Sequence, residues 1–359
     1  MKAMVIARTG RLEDARLEPR DVPEPVPTAG EILIKVSACG VCHTELDEIE
    51  GRTPPPKLPV IPGHQVVGTV AAFGPRQSAI SNLESRMPSV GDRVGVAWIH
   101  SACGKCGYCR SGQENLCPDF RATGRDANGG YAEYMTVPQA FAYPIPGVFT
   151  DTEAAPLLCA GAVGYRSLRL AGFGGTKDSS SSALGARYST LGLAGFGASG
   201  HLVLKMVLYQ HPETRVCVFA RSKEEQAFAR ELGATWAGDT NDKPPEPLDA
   251  IIDTTPVWSP IVAALGNLKP GGRLVVNAIR KEEPDKQALL DLDYTKHLWM
   301  EREIKSVANV ARRDVADFLE LAARIPIKPE VQEYPLEAAN QALSELKQRR
   351  IRGAKVLRI

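Results

Sequence analysis

The segment CGKCGYCRSGQENLC brings Cys103, Cys106, Cys109 and Cys117, half of the chain's eight cysteines, close together in the sequence. Two-residue spacers let a tight turn present neighbouring sulfurs to one ion, and four thiolates around a d¹⁰ cation make a closed tetrahedral site. Zinc is therefore expected in this lobe. Disulfides are the alternative, but eight cysteines in 359 residues are too sparse for a stapled secreted domain. Iron–sulfur clusters also take four thiolates, at other ferredoxin spacings. A closed four-cysteine site has no open coordination position, so it stabilises its loop and leaves the chemistry to other residues.

The length exceeds what one hydrophobic core usually serves, and a 43% hydrophobic content is ample for globular folding, so two domains are expected. Lys and Arg number 43 against 42 Asp and Glu. That balance leaves no basic field of the kind that drives binding to nucleic acid or an anionic membrane, and a small-molecule partner is expected instead. The opening MKAMVIARTG lacks the apolar run of a signal peptide, and no segment approaches the roughly 20 apolar residues of a membrane span. A soluble, cytoplasmic protein with reduced thiols is the expectation.

Up to about residue 150 the chain reads as short strands between Pro and Gly punctuation, for example residues 3–7, 31–37, 66–72 and 93–98. Beyond Asp151 the texture changes to helical segments, then to apolar strands alternating with longer helical patterns. Residues 189–194, 215–220, 250–253 and 273–278 are the candidate parallel strands of βαβ units. From about Val307 the helix DVADFLELAARI, the amphipathic stretch LEAANQALSELKQ and a final strand AKVLRI suggest a return to the first domain. Two polar stretches, at 75–89 and a Ser-rich one at 176–189, read as surface loops.

Residues 189–194 run directly into Gly195, Gly197 and Gly200 of GFGASG and then into HLVLKMVLY. A G-x-G-x-x-G that leaves a strand and opens a helix permits a tight turn and close approach of the backbone to a pyrophosphate at the helix N-terminus. NAD binders place an acid about 20 positions further on to hold the ribose 2′-hydroxyl. Here the second strand ends in VCVFARSKEE, so Arg221 and Ser222 stand where the acid is expected. A guanidinium and a hydroxyl suit a 2′-phosphate, which points to NADP(H).

The other four cysteines are Cys39, Cys42, Cys159 and Cys217, and spacing alone does not choose among them or the six histidines. Read together, however, GVCHTE, PGHQVVG, the four-cysteine lobe, LLCAGAVGY and GFGASG occur in the order seen in zinc-dependent alcohol dehydrogenases. The chain resembles the medium-chain dehydrogenase/reductase superfamily from end to end, most closely its microbial NADP-dependent, cinnamyl-alcohol-dehydrogenase-like group. The resemblance implies an α/β fold: a GroES-like β-rich catalytic domain over 1–157 and 306–359, with the structural zinc lobe near 100–120. A Rossmann doubly wound parallel-sheet cofactor domain takes 158–305.

The resemblance also implies two zinc ions per chain, the catalytic one on Cys42, His64 and Cys159. Two thiolates and one imidazole leave a fourth position open for chemistry. Thr44 takes the place of the hydroxyl that bonds the substrate oxygen and begins a proton relay, and His43 that of a residue approaching the cofactor pyrophosphate. Glu45 stands where Asp is usual as the partner that orients His64, and Gln65 where many members carry Glu near the zinc. The relay's usual outer histidine falls on Asp47, either a proton acceptor or a solvated acid. Cys39 and Cys217 are expected to be buried core thiols. Trp98, before the lobe, lines either the substrate pocket or the core.

The implied reaction is reversible hydride transfer between NADP(H) and a small-molecule alcohol or aldehyde (or ketone), in a homo-oligomer, dimer or tetramer. Two rivals differ in class. One is a biosynthetic reductase of the same fold acting on C=C or C=N bonds; the other is a zinc-stabilised binding module without catalysis.

Overall fold

The computed structural model describes residues 1–75, 88–174, 189–325, 327–348 and 353–359. The polar stretches at 75–89 and 176–189 lie almost wholly outside the described residues. The chain folds as two compact units, Met1–Cys159 with Val310–Ile359, and Ala160–Asn309.

The chain begins with strands β1 (Lys2–Val5), β2 (Glu18–Asp21) and β3 (Glu31–Val41), the short helix α1 (His43–Ile49), and strands β4 (Val66–Phe73), β5 (Arg93–Val96) and β6 (Ile99–Ser101). Helix α2 (Gly107–Arg110) and strands β7 (Arg121–Ala122), β8 (Tyr134–Pro138) and β9 (Tyr143–Pro144) follow, then α3 (Asp151–Ala154) and α4 (Ala160–Leu168). The alternating part comprises β10 (Thr190–Ala194), α5 (Ala198–Gln210), β11 (Arg215–Phe219), α6 (Lys223–Glu231), β12 (Trp236–Gly238), β13 (Leu248–Asp253), α7 (Ser259–Gly266), β14 (Leu268–Val276) and β15 (Glu303–Ser306). Helix α8 (Arg312–Ala322), β16 (Val331–Pro335), α9 (Ala339–Lys347) and β17 (Ala354–Arg358) complete the described elements.

The first unit is organised on β3. Its sequence EILIKVSACGV is apolar almost throughout because it is covered on both faces and paired on both sides, antiparallel to β4 and to β17, with β8 also along it. The final strand AKVLRI thus does return to the first unit, bonding Lys355 to Leu357 opposite Val41 to Cys39. The strand runs on to Val41 rather than ending near Ser37, since Gly40 and Val41 are still held by β17.

The second unit is an open sheet in the order β12-β11-β10-β13-β14-β15, every pair parallel. Strand β10, TLGLA, is buried at every residue, the continuous apolar run that a central parallel strand needs. Cys217, Phe219, Leu248, Ile251, Ile261, Leu265 and Leu274 pack the core beneath α7. Each fully buried side chain of this size contributes about 1.5–3 kcal/mol. The chain order reverses between β10 and β13, which makes the carboxyl ends of these two strands the topological switch point.

Candidate active site

Where β3 ends, the chain passes through Cys42 in extended conformation and enters α1, so Cys42 is the N-cap of that helix. Cys159 follows a one-turn 3₁₀ segment, Ala155–Leu158, and immediately precedes α4. His64 comes from the loop before β4. Far apart in sequence, Cys42, His64 and Cys159 bring their ligand atoms within 4.8 Å of one another.

The imidazole of His64 is buried and its two nitrogens differ. Nδ1 lies 2.6 Å from Glu45 Oε1, whereas Nε2 is buried without a hydrogen-bond partner among the described residues. Glu45 accepts a second bond with its other oxygen, from the Cys42 amide at 2.8 Å. Cys159 donates toward Cys42, holding the Cys42 thiol well below the usual range against the opposing effect of burial, with His64 adding to the effect. Cys159 is correspondingly pushed up by that bond and by burial. A pair of sulfurs beside an imidazole with a free inward nitrogen is the donor set of a zinc site, and it fits one.

Thr44 is buried on α1, its hydroxyl 3.7 Å from Cys42 Sγ. His43 is exposed at the first position of the helix. Gln65 is buried, and its side chain occupies the space beside Gly40, where a Cβ would lie 2.4 Å from its Oε1. Asp47 is not a solvated acid. It is 4% exposed and its carboxylate accepts from Arg52 Nε, a cation that no motif singled out and that also holds Glu50. Trp98 lies beyond β5, its ring 5.1 Å from that of Phe120 with Arg125 stacked over it. Cys39 and Cys217 are buried in strands and belong to neither ligand cluster.

The second ligand cluster is the lobe itself. Cys103, Cys106, Cys109 and Cys117 also bring their sulfurs within 4.8 Å of one another. Backbone amides of Cys103, Cys106 and Cys109 donate to Cys117, Cys103 and Cys106 sulfurs at 3.4–3.5 Å. The amides of Lys105 and Cys106 hold the Cys103 thiol down at about 6, while burial pushes Cys109 up to about 12. The local chain is thus already wrapped around a point between four sulfurs.

In the second unit each glycine of GFGASG has its own reason. Gly195 turns with φ +83°. A Cβ on Gly197 would meet nothing within 4 Å, so its backbone is open to a ligand, and one on Gly200 would lie 2.7 Å from the Gly195 carbonyl. A tight turn, an approachable backbone and close helix–strand packing are the three roles the fingerprint requires. Arg221 is exposed just beyond β11, whose Phe219 is in register with Ala194 of β10. Ser222 is the N-cap of α6, its Oγ accepting from the Glu225 amide at 3.0 Å.

Residues 28–147 match the alcohol dehydrogenase GroES-like domain. The chain is 42% identical over 361 aligned residues to a probable alcohol dehydrogenase of Mycobacterium tuberculosis, covering 100% of this chain and 97% of that protein. It belongs to the alcohol dehydrogenases of the zinc-type medium-chain dehydrogenase/reductase superfamily. An alcohol dehydrogenase of Geobacillus stearothermophilus is 33% identical, with 96% of each chain covered. A cinnamyl alcohol dehydrogenase structure from Sorghum bicolor superposes with a TM-score of 0.78 at 25% identity, over 99% of this chain and 97% of that one. This alcohol dehydrogenase is therefore an oxidoreductase built as a GroES-like unit and a parallel-sheet unit.

Proposed function

We propose that this alcohol dehydrogenase reversibly reduces an aldehyde or ketone to an alcohol with NADP(H) and holds two zinc ions. The catalytic ion takes Cys42, His64 and Cys159; the structural ion takes Cys103, Cys106, Cys109 and Cys117. His64 carries the reading: Glu45 fixes one ring nitrogen, and the other is buried between sulfurs with no hydrogen-bond partner among the described residues. A buried polar atom without a partner costs about 1–3 kcal/mol, which coordination removes.

When bound, zinc supplies Lewis acidity toward the substrate oxygen and the dinucleotide carries the hydride. Glu45 keeps the proton of His64 on Nδ1 and so aims a lone pair from Nε2. The Thr44 hydroxyl passes the substrate's proton. Asp47, three residues along the same helix and bonded by Arg52 Nε, receives it. Arg221 would hold the 2′-phosphate, and the Ser222 hydroxyl, whose oxygen accepts from the helix, would donate its proton to the same group.

We infer a homo-oligomer, supported by the edge strand β15, whose four residues are all exposed. Thiolate ligands favour a reducing, cytoplasmic setting. No helix among the described residues is long and apolar enough to cross a membrane.

Steady-state kinetics over a panel of aldehydes and alcohols, paired with metal analysis, tests the proposal. Two zinc ions per chain and a preference for NADPH of roughly tenfold or more in kcat/KM are expected. A preference for NADH would overturn the Arg221 assignment, and full turnover by zinc-free protein would overturn the metal one.

A further inference from the structure

Lys281 lies outside every motif, yet its side chain is 6% exposed and bonded at every donor. The ammonium donates to Asp253 Oδ2, to the Thr255 carbonyl at 2.8 Å and to the Val257 carbonyl at 2.9 Å. Three N–H donors meet three acceptors, so the group is fully used. Asp253 is fully buried at the last position of β13, and its other oxygen accepts from the Thr255 hydroxyl at 2.7 Å and the Thr255 amide at 3.2 Å. A buried ion pair is an inefficient way to gain stability, because desolvation offsets most of the attraction. What it supplies is a single geometry.

The place in the fold identifies what that geometry holds. Ala194, Asp253 and Val276 are in register at the carboxyl ends of β10, β13 and β14, at the switch point where open parallel sheets bind their ligands. The loop after β13 closes on the glycine turn: the Thr254 amide and hydroxyl donate to the Ala194 carbonyl at 2.9 and 3.1 Å. A Cβ on Gly195 would lie 2.7 Å from Thr254 Oγ1. The loop after β14 is laced to it by the Glu282 amide on the Pro256 carbonyl at 2.7 Å. Asp285 adds to this by accepting from the Trp258 and Ser259 amides at 2.8 and 2.9 Å. Lys281 joins the two loops from within.

We propose that Lys281, together with Asp253, is a positioning residue for the dinucleotide: it fixes the loop after β13 against the glycine turn and thereby sets cofactor affinity. The proposal depends on the dinucleotide reading above. The Lys269–Asp249 pair, 2.9 Å apart at the opposite, amino end of β13 and β14, provides a control that breaks an ion pair of the same sheet away from the switch point.

NADPH titrations followed by fluorescence on zinc-loaded, full-length protein, with a thermal melt of each variant, test it. Lys281→Met is expected to weaken the NADPH Kd about tenfold or more, and Lys269→Met to leave it within about twofold even where its melting temperature falls as far. An unchanged Kd in Lys281→Met, or equal weakening in both variants, overturns the proposal. Should Lys281→Met fail to fold, Thr255→Ala removes the loop hydroxyl from Asp253 without stranding a charge. It is expected to weaken the Kd about threefold, and an unchanged Kd there overturns the proposal equally. Wild-type protein that binds neither NADPH nor NADH refutes the dinucleotide reading and the proposal with it; tight wild-type binding with unaffected variants refutes only the role of Lys281.

Discussion

Glu45 exceeds the usual Asp by one methylene, and the structure uses that length: one oxygen meets His64 Nδ1 at 2.6 Å and the other the Cys42 amide at 2.8 Å. A single side chain thus ties the orientation of one ligand to the backbone of another and closes the first turn of α1. Because burial pushes the Glu45 carboxyl up while His64 opposes it, the pair works as one unit. Cys42→Ser or His64→Ala is expected to lower alcohol oxidation by about a thousandfold or more, the scale of lost Lewis-acid catalysis. NADPH binding, measured by fluorescence, should persist in both, since the glycine turn lies in the other unit. Full activity in either variant would refute the catalytic zinc.

At the scale of elements, α1 concentrates acids, and neighbouring cations pair with Asp47 and with Glu50 at its C-terminus. Glu50, its C-cap, accepts from Lys347 of α9, from Arg52 and from the Leu12 amide. Burial alone would raise this carboxyl, but Lys347 and Arg52 hold it at about 2. Its folded value lies below the ordinary 4.5, so its contribution to stability is present above that pH and is lost as pH falls toward 2. Glu50→Gln should therefore flatten the decline of melting temperature between pH 4.5 and 2; an acid limb as steep as that of the wild type would contradict this. The lobe from Cys103 to Cys117 is the second such element. Its sulfurs are held by local amides, so binding of the proposed ion there would add to folding energy, and Cys106→Ser is expected to lower the melting temperature by about 4 °C or more. An unchanged melt would show that the lobe needs no ion.

For the whole molecule, the exposed edge of the parallel sheet is the feature that one chain leaves unfinished. Strand β15 has Ile304 at 46% exposure, and Trp299 and Met300 just before it are exposed as well. Unpaired backbone beside apolar side chains is a template for a second copy. If the proposed homo-oligomer forms through this edge, Ile304→Lys is expected to shift it to a smaller species by light scattering. A wild-type monomer, or an unaltered oligomer in the variant, would remove this edge from the interface.

The two motifs readable from sequence are both local. CGKCGYC and GFGASG set their geometry through turns of a few residues, so the spacing itself carries the physics, and the lobe and the glycine turn form as read. Strand alternation marked out the four inner strands of the parallel sheet, but neither edge: β12 is three residues long, and β15 is exposed at every residue and gave no apolar run to read. Chain spacing did not distinguish Cys39 from Cys42. Tertiary pairing does: β17 holds β3 as far as Val41, burying Cys39 near Gly63 and Gly130 and releasing Cys42 into the turn before α1. The ion pair that buries Asp47 against Arg52 was equally unreadable. Lys281 had no signal at all, because its three acceptors lie at the end of β13 and on the loop after it, more than 20 positions earlier in the chain, and are assembled only when β13 and β14 pair.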